Sequence, residues 1–274
     1  MKYLKSKKFF VLLISAALLV LFFYFENNSI VTTSIAYENA QIPAEFNGFK
    51  IVQISDLHNK RFGDGQSRLL EIIEEQNPDI IVVTGDLIDC KHTDIDIAME
   101  FITGAVNIAP VYYVSGNHEY NTPEQYSILK EKLSSAGVTL LENEKTEILC
   151  NGVSFNLYGI ADHGIYDPDS TLEQFDIDKE EFNVLLSHRP ELIETYANYG
   201  FDIVFTGHAH GGQIRLPFIG GVIAPNQGFF PKYTEGMHTM GDTSEIISRG
   251  LGNSVAPLRI FNRPEVIVCT FYTE

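Results

Sequence analysis

The chain has 274 residues and a formal net charge of −17 at pH 7. Four of its 19 lysines and arginines lie within the first eight residues, so everything beyond them stands at −21. A domain that acidic repels nucleic-acid phosphate at long range, which argues against a DNA- or RNA-binding role.

Phe9 to Phe25 is an apolar run with one Ser and no charge, at the short end of the roughly 17–25 residues that span a bilayer. Lys2, Lys5, Lys7 and Lys8 precede it, and no Lys or Arg follows until Lys50. That asymmetry puts the N-terminus in the cytoplasm and the remainder across the membrane. A cleaved signal peptide has an apolar core of about 7–15 residues with a small-x-small site close behind. Here the one such site, Ser34-Ile35-Ala36, lies far from the end of the run. The expectation is therefore an uncleaved single-pass anchor, with residues 1–28 as Lys-rich tail and anchor, 29–46 as a linker held extended by Pro43, and 47–274 as one extracytoplasmic domain.

Within that domain, five short apolar or β-branched runs end at Ser or Gly and are followed by metal-ligand residue types. Lys50–Ser55 precedes Asp56-Leu57-His58, and Ile80–Gly85 precedes Asp86-Leu87-Ile88-Asp89. Val111–Gly116 precedes Asn117-His118-Glu119, Asn183–Ser187 precedes His188, and Asp202–Gly207 precedes His208-Ala209-His210. Such runs read as strands buried on both faces, and open α/β sheets place ligand sites at the edge where those strands end. Between them, Gln66–Gln76, Ile95–Thr103, Pro123–Ala136 and Pro190–Asn198 read as helices, giving strand–helix–strand units expected to be parallel. Thr146–Cys150 and Val153–Tyr158 flank Asn151-Gly152, a two-residue hairpin signal. The last third turns β-rich at Glu245–Ser248, Leu258–Phe261 and Glu265–Phe271. Parallel units and antiparallel hairpins in one chain predict a mixed α/β and α+β fold, two packed sheets with helices outside.

Asp56 and His58 sit two apart, so on an extended strand end they face one side and grip one ion. Asp86 supplies a carboxylate that has two oxygens for two ions. Asp89 reads equally as a helix N-cap or as a group in the site. Asn117 offers a neutral oxygen. His118 follows on a different bearing, suited to general-acid work, with Glu119 placed to orient it. Taken singly, each has a plainer reading as a turn residue or a satisfied core histidine. Together, five of the eight histidines fall at these strand ends. Leu216–Tyr233 is a long apolar loop rich in Gly and Pro, read either as a lipid-facing wall beside the site, with Phe218, Phe229 and Phe230 in contact with substrate, or as packing over the core. Asp162 and His163 end another apolar run and are weaker cleft candidates. Cys90, Cys150 and Cys269 lack metal-type spacing and read as buried free thiols.

In this order, Asp-x-His, Gly-Asp-x-x-Asp, Gly-Asn-His-Glu, a lone strand-end His and Gly-His-x-His resemble the calcineurin-like metallophosphoesterase family. Ser55–His58, Gly207–Gln213 and Arg263–Glu265 are similar to its membrane-linked bacterial branch. The likeness covers roughly Lys50 to Thr273. It implies a two-sheet β-sandwich flanked by helices and a binuclear centre. Asp56, His58 and His210 would hold one divalent ion, Asn117, His188 and His208 the other, and Asp86 would bridge them. It further implies that a hydroxide shared by the two ions attacks phosphorus in line while His118 protonates the leaving group. Many members carry Asp where Glu119 stands. Oxygen and imidazole ligands suit Mn, Fe, Zn or Ni alike.

The resulting expectation is a metal-dependent phosphoesterase acting on phosphodiester or pyrophosphate bonds of envelope or lipid-linked substrates. The alternatives are a nucleotide phosphoesterase or nuclease, which a basic cleft would support, and a metal-binding surface module without turnover.

Overall fold

The structure, a computed structural model, describes residues 2–162, 168–253 and 257–273. It opens with helix α1 (Lys2–Asn28), strand β1 (Val31–Glu38), β2 (Lys50–Ile54), α2 (Ser67–Glu75), β3 (Ile80–Thr84), α3 (Ile95–Ala105) and β4 (Val111–Val114). The short turn α4 (Asn117–Tyr120), α5 (Pro123–Ser135), β5 (Thr139–Leu140), β6 (Glu144–Cys150), β7 (Val153–Gly159), α6 (Pro168–Leu172), β8 (Asn183–Leu186), α7 (Ile193–Tyr199) and β9 (Ile203–Thr206) follow. Two-residue ladders β10 (Arg215–Leu216), β11 (Gly220–Gly221), β12 (Ile223–Ala224) and β13 (Gly228–Phe229) precede β14 (Gly236–Met240), β15 (Thr243–Ile247) and β16 (Glu265–Tyr272).

Two six-stranded sheets result, ordered β1-β16-β2-β3-β4-β5 and β14-β15-β9-β8-β7-β6. In the first, β2 to β5 run parallel. In the second, β7, β8, β9 and β15 do, flanked by antiparallel β6 and β14. The unbroken apolar runs are explained by burial on both faces. Along β2 and β3, Ile51, Ile80 and Val82 point between the sheets with Val184, Phe205 and Ile267. Their neighbours Val52, Ile54, Ile81 and Val83 point outward onto Leu69, Phe101 and Leu129 of the covering helices. On the other side Tyr158, Leu185 and Val204 pack against Leu172 and Tyr196 of α6 and α7. Each such side chain contributes about 1.5–3 kcal/mol of burial. Gln53 breaks the apolar pattern usefully. It is fully buried, and its amide donates to Thr84 Oγ1 (3.0 Å) and to Thr206 O on the facing sheet (2.8 Å). It thus ties the two layers together just below the strand ends.

Asn151 and Gly152 hold φ of 51° and 86° between antiparallel β6 and β7, the left-handed pair that a two-residue hairpin requires. Three expectations need correction. Residues 29–46, read as a linker, contain β1, which lies parallel to β16 as the edge strand of the first sheet. A pairing across more than two hundred positions leaves no local signal. Leu258–Phe261 is not a strand. Only Ile260 bridges, to Ile214, because Arg259 is buried and its guanidinium binds the carbonyls of Gly252, Arg249 and Asn262. The three cysteines are free thiols, but only Cys269 is buried, while Cys90 and Cys150 are half-exposed.

The segment Lys7–Asn28 of α1 is long and apolar enough to cross a membrane. Its last turn belongs to the domain. Asn27 Oδ1 accepts from Arg259 N (2.9 Å) and Asn253 Nδ2 (3.1 Å), Glu26 Oε2 accepts from Asn262 N (3.0 Å), and both side chains are buried.

Candidate metal centre

The strand ends converge because tight turns follow β2, β3 and β9. Asp56, His58, Asp86, His208 and His210 all hold φ between 45° and 62°, a left-handed backbone that Asp and His adopt more readily than most residues. The pleat argument for Asp56 and His58 is thereby corrected, since it is the turn, not an extended strand, that brings Asp56 Oδ1 within 3.8 Å of His58 Nε2. Close approach of the loops demands glycine at two places. A Cβ on Gly85 would lie 2.6 Å from Gly116 N and 2.8 Å from His188 Nδ1, and one on Gly207 would lie 1.9 Å from Ser55 Oγ.

Among the described residues, three buried groups of donor atoms form, each spanning no more than 4.8 Å: Asp56 with His58 and His210, Asp86 with His188 and His208, and His58 with Asp86 and His118. Asp86 joins the first two, with Oδ2 3.6 Å from His58 Nε2 and 3.2 Å from His188 Nε2. The Nε2 atoms of His58 and His210 face each other at 3.2 Å, as do His188 Nε2 and His208 Nδ1. Two facing imidazole lone pairs repel unless a proton or a cation lies between them. Asn117 Oδ1 is buried without a hydrogen-bond partner, a costly state for an amide oxygen and a ready one for a hard cation. Donor chemistry and the orphaned oxygen both fit divalent metal.

Electrostatics agree. Burial lowers the His58 pKa to about 4 and that of His210 to about 3, and holds His208 well below its ordinary value, so these rings stay neutral with lone pairs available. Burial would do the same to His188, but the Asp86 carboxylate outweighs it and pushes the ring up to about 10. Asp86 is held well below the usual carboxylate range, because the surrounding imidazoles, His188 above all, overcome the effect of burial. Around these groups, Thr84 O lies 2.7 Å from His188 Nδ1, and Ser55 Oγ donates to Asp56 Oδ2 at 2.6 Å. Such contacts orient metal ligands.

His118 N donates to Asp86 Oδ1 at 2.8 Å, and its ring lies 4.4 Å from that of His58. Its Nδ1 accepts from Cys90 N at 3.0 Å. A backbone amide only donates, so the proton of the neutral ring sits on Nε2. Glu119 does not orient this ring. Consecutive residues of a helical turn point apart, and the Glu119 carboxylate instead accepts from Asp86 N (2.9 Å), Gly116 N (2.8 Å) and Ile88 N (3.1 Å). Burial first, then the Asp86 charge, push it up to about 8 against those three donors. The carboxylate beside His118 is Asp89, whose Oδ2 lies 3.4 Å from Nδ1. Nor is Asp89 a helix cap, since Asp94 caps α3. Removing the Glu119 carboxylate as Glu119→Ala would leave three amides unpaired and is expected to cost about 3–5 kcal/mol. Urea unfolding of metal-free protein reads this; a loss below about 1 kcal/mol would mean that water replaces the side chain.

Asp162 reaches the site through a residue that sequence reasoning missed. Its two oxygens clamp Arg189 Nε and Nη2 at 2.6 and 2.9 Å, which leaves Nη1 2.8 Å from His208 Nε2. The available signal was a cation directly after the lone strand-end His188. Asn262 was also missed. It donates to His210 O (2.7 Å) and Gln213 O (2.9 Å). His163 lies outside the described residues. Phe218, Phe229 and Phe230 are exposed.

Comparison with known proteins comes to the same place. The model of the family described as calcineurin-like phosphoesterase matches residues 49–212. The chain is 32% identical over 250 residues to the metallophosphoesterase YkuE of Bacillus subtilis, covering 87% of this chain and 84% of that one. It is 31% identical over 229 residues to the phosphodiesterase YaeI of Escherichia coli, covering 80% of each. With the transmembrane protein with metallophosphoesterase domain of Danio rerio it shares 27% over 242 residues, 82% of this chain and 54% of that protein.

Proposed function

Because the chain belongs to the calcineurin-like phosphoesterase family and is a hydrolase of phosphoester bonds, we propose that it cleaves phosphodiester or pyrophosphate bonds of lipid-linked or envelope substrates outside the cytoplasm, from a helix retained in the membrane. The observation that carries the reading is the pair of buried donor groups joined through Asp86. Asp56, His58 and His210 would hold one divalent cation, Asn117, His188 and His208 the second, and Asp86 would contribute to both. The cations supply Lewis-acid neutralisation of the phosphoryl oxygens and a more acidic water near neutral pH.

The chain's own groups do the rest. His118 acts as general acid from its doubly protonated form: Nδ1–H takes Asp89 Oδ2, 3.4 Å away, as its acceptor in place of the Cys90 amide that faces Nδ1 of the neutral ring, and Nε2–H passes to the departing oxygen and leaves a neutral imidazole. Arg189, fixed in plane by Asp162, sets a permanent cation beside the second ligand group and draws phosphate to it. The −21 charge of the remainder supports a substrate other than nucleic acid. A retained helix is supported by the buried Glu26 and Asn27, and by the position of Ser34-Ile35-Ala36 inside β1, paired with Val268, Cys269 and Thr270. Cleavage there would cut a strand of the sheet.

Manganese-loaded protein is expected to hydrolyse bis-p-nitrophenyl phosphate, and chelator-treated protein to lose that activity and regain it with Mn²⁺. Binding of Mn²⁺ without turnover would reduce the protein to a metal-binding module.

A further inference from the structure

We propose that the bilayer crossed by α1 also covers an apolar rim of the catalytic domain, formed by the 216–230 loop and the 258–261 segment, so that the metal centre takes phosphoesters carried by membrane-embedded lipids. The inference rests on the reading of α1 as a retained anchor.

Outside α1, most of the large apolar side chains left exposed fall in these two stretches. Phe218 is fully exposed, Phe229 74% and Phe230 66%, and Ile219 in the same loop and Leu258 and Phe261 in the other segment are also open. Their backbone is unusual. Phe218, Phe230 and Phe261 hold φ of 68°, 54° and 50°, and among the described residues they are the only apolar side chains on left-handed backbone. Bulky residues seldom occupy that region, and strain of this kind persists where the surrounding structure imposes it. Here it turns rings outward that water alone would drive inward.

The occupant follows from continuity with α1. Phe261 packs edge-on against Phe22 of the helix, with centroids 5.4 Å apart. Ile260 bridges Ile214, and Arg215 N donates to Ile260 O at 3.0 Å, so the 216–230 loop springs from the same segment. Arg263 lies over the Phe25 ring at 5.1 Å, and Arg68 Nη2 donates to Asn28 O at 3.4 Å. Arginines that lie along apolar surface at a helix end, with the charged head in water, suit the boundary of a bilayer. No flexible stalk intervenes, because Asn262 donates its backbone N–H to Glu26 Oε2 and its side-chain amide to His210 O. Helix, rim and metal centre therefore keep one fixed arrangement, and the centre works at the bilayer surface.

The chain contains no Trp, which makes the test direct. Full-length Phe218→Trp, Phe229→Trp, Tyr24→Trp and Leu149→Trp variants are reconstituted in phosphatidylcholine/phosphatidylglycerol vesicles with and without dibrominated acyl chains. Tyr24 lies on the exposed surface of α1 and Leu149 on the β6–β7 hairpin. The expected result is blue-shifted emission, quenched at least about twofold, for positions 24, 218 and 229, as befits residues at or below the headgroup boundary, and neither change at 149. Quenching at 24 without quenching at 218 and 229 would overturn the rim and leave the anchor standing. No quenching at 24, or an intact mass lacking α1, would overturn the anchor reading and the proposal with it. Equal quenching at 149 would indicate general adsorption and also overturn the rim. None of these readouts depends on turnover, so they stand apart from the manganese test of catalysis.

Discussion

Asp86→Asn is expected to empty the metal centre and to lower phosphodiester hydrolysis on the order of 10³-fold, about 4 kcal/mol in transition-state terms. The substitution preserves shape. An amide oxygen at the Oδ1 position still accepts the 2.8 Å bond from His118 N, so the loop order of α4 survives. What disappears is a fully buried negative charge 3.6 Å from His58 and 3.2 Å from His188. Without it two dications would face only imidazoles, an amide and Asp56. Metal content by mass spectrometry and activity at saturating Mn²⁺ are read together, and normal loading in the variant would refute the bridging role. The same charge governs protonation of the metal-free protein. His188 is raised from 6.5 to about 10, so the folded state holds a proton that the unfolded chain has released. The stability this adds is complete below pH 6.5 and disappears as pH rises through about 10. Metal-free wild type should weaken over that window in urea unfolding, and Asp86→Asn should lack that part of the decline. Metal uptake near neutral pH should release the same proton, which calorimetry in buffers of different ionisation enthalpy detects.

His118→Ala is expected to keep its metal and to lose rate by about 10²–10⁴, the usual worth of a positioned general acid. The loss should depend on the leaving group. An alkyl diester departs as a strongly basic alkoxide and needs the proton held on Nε2, so it should show the full effect. A p-nitrophenolate departs without help, so bis-p-nitrophenyl phosphate should lose less than about tenfold. Steady-state rates on both substrates, with metal content of the same samples, separate the two outcomes. Equal losses on both would indicate that His118 holds metal or shapes the pocket, and an unchanged alkyl rate would remove it from the mechanism. The neighbouring Glu119 gives a useful contrast, since its carboxylate is spent on three amides and its removal should register first as lost stability.

Much of this centre was legible before any fold was known. Strands buried on both faces declare themselves as uninterrupted apolar runs, and each of the five stops where Asp, Asn or His begins. Asn151-Gly152 announced its hairpin because few other pairs accept left-handed backbone at both positions. Local chemistry also set His118 on a separate bearing from Asn117. It misassigned Glu119, for the direction in which a side chain leaves a four-residue turn depends on what the turn packs against, here the amides of Asp86 and Ile88, more than thirty positions earlier. Arg189 and Asp162 were separated by 27 positions and met only in the folded chain. Asn262 offered no signal at all, being one polar residue just after a segment misread as a strand.

What the amino-acid order determined by itself was the inventory: which strands are buried, which donors stand at their ends, and an apolar helix preceded by lysines. These follow from short-range physics, the periodicity of side chains and the backbone preferences of Asn, Gly and Pro. Only the tertiary structure decided that residues 31–38 pair with the C-terminal strand, that the turns after β2, β3 and β9 rather than the pleat converge the ligands, and that the end of α1 is keyed through Asn262 to the carbonyl of His210. Each of those depends on contacts between distant parts of the chain, whose free energy appears only when both partners are already in place.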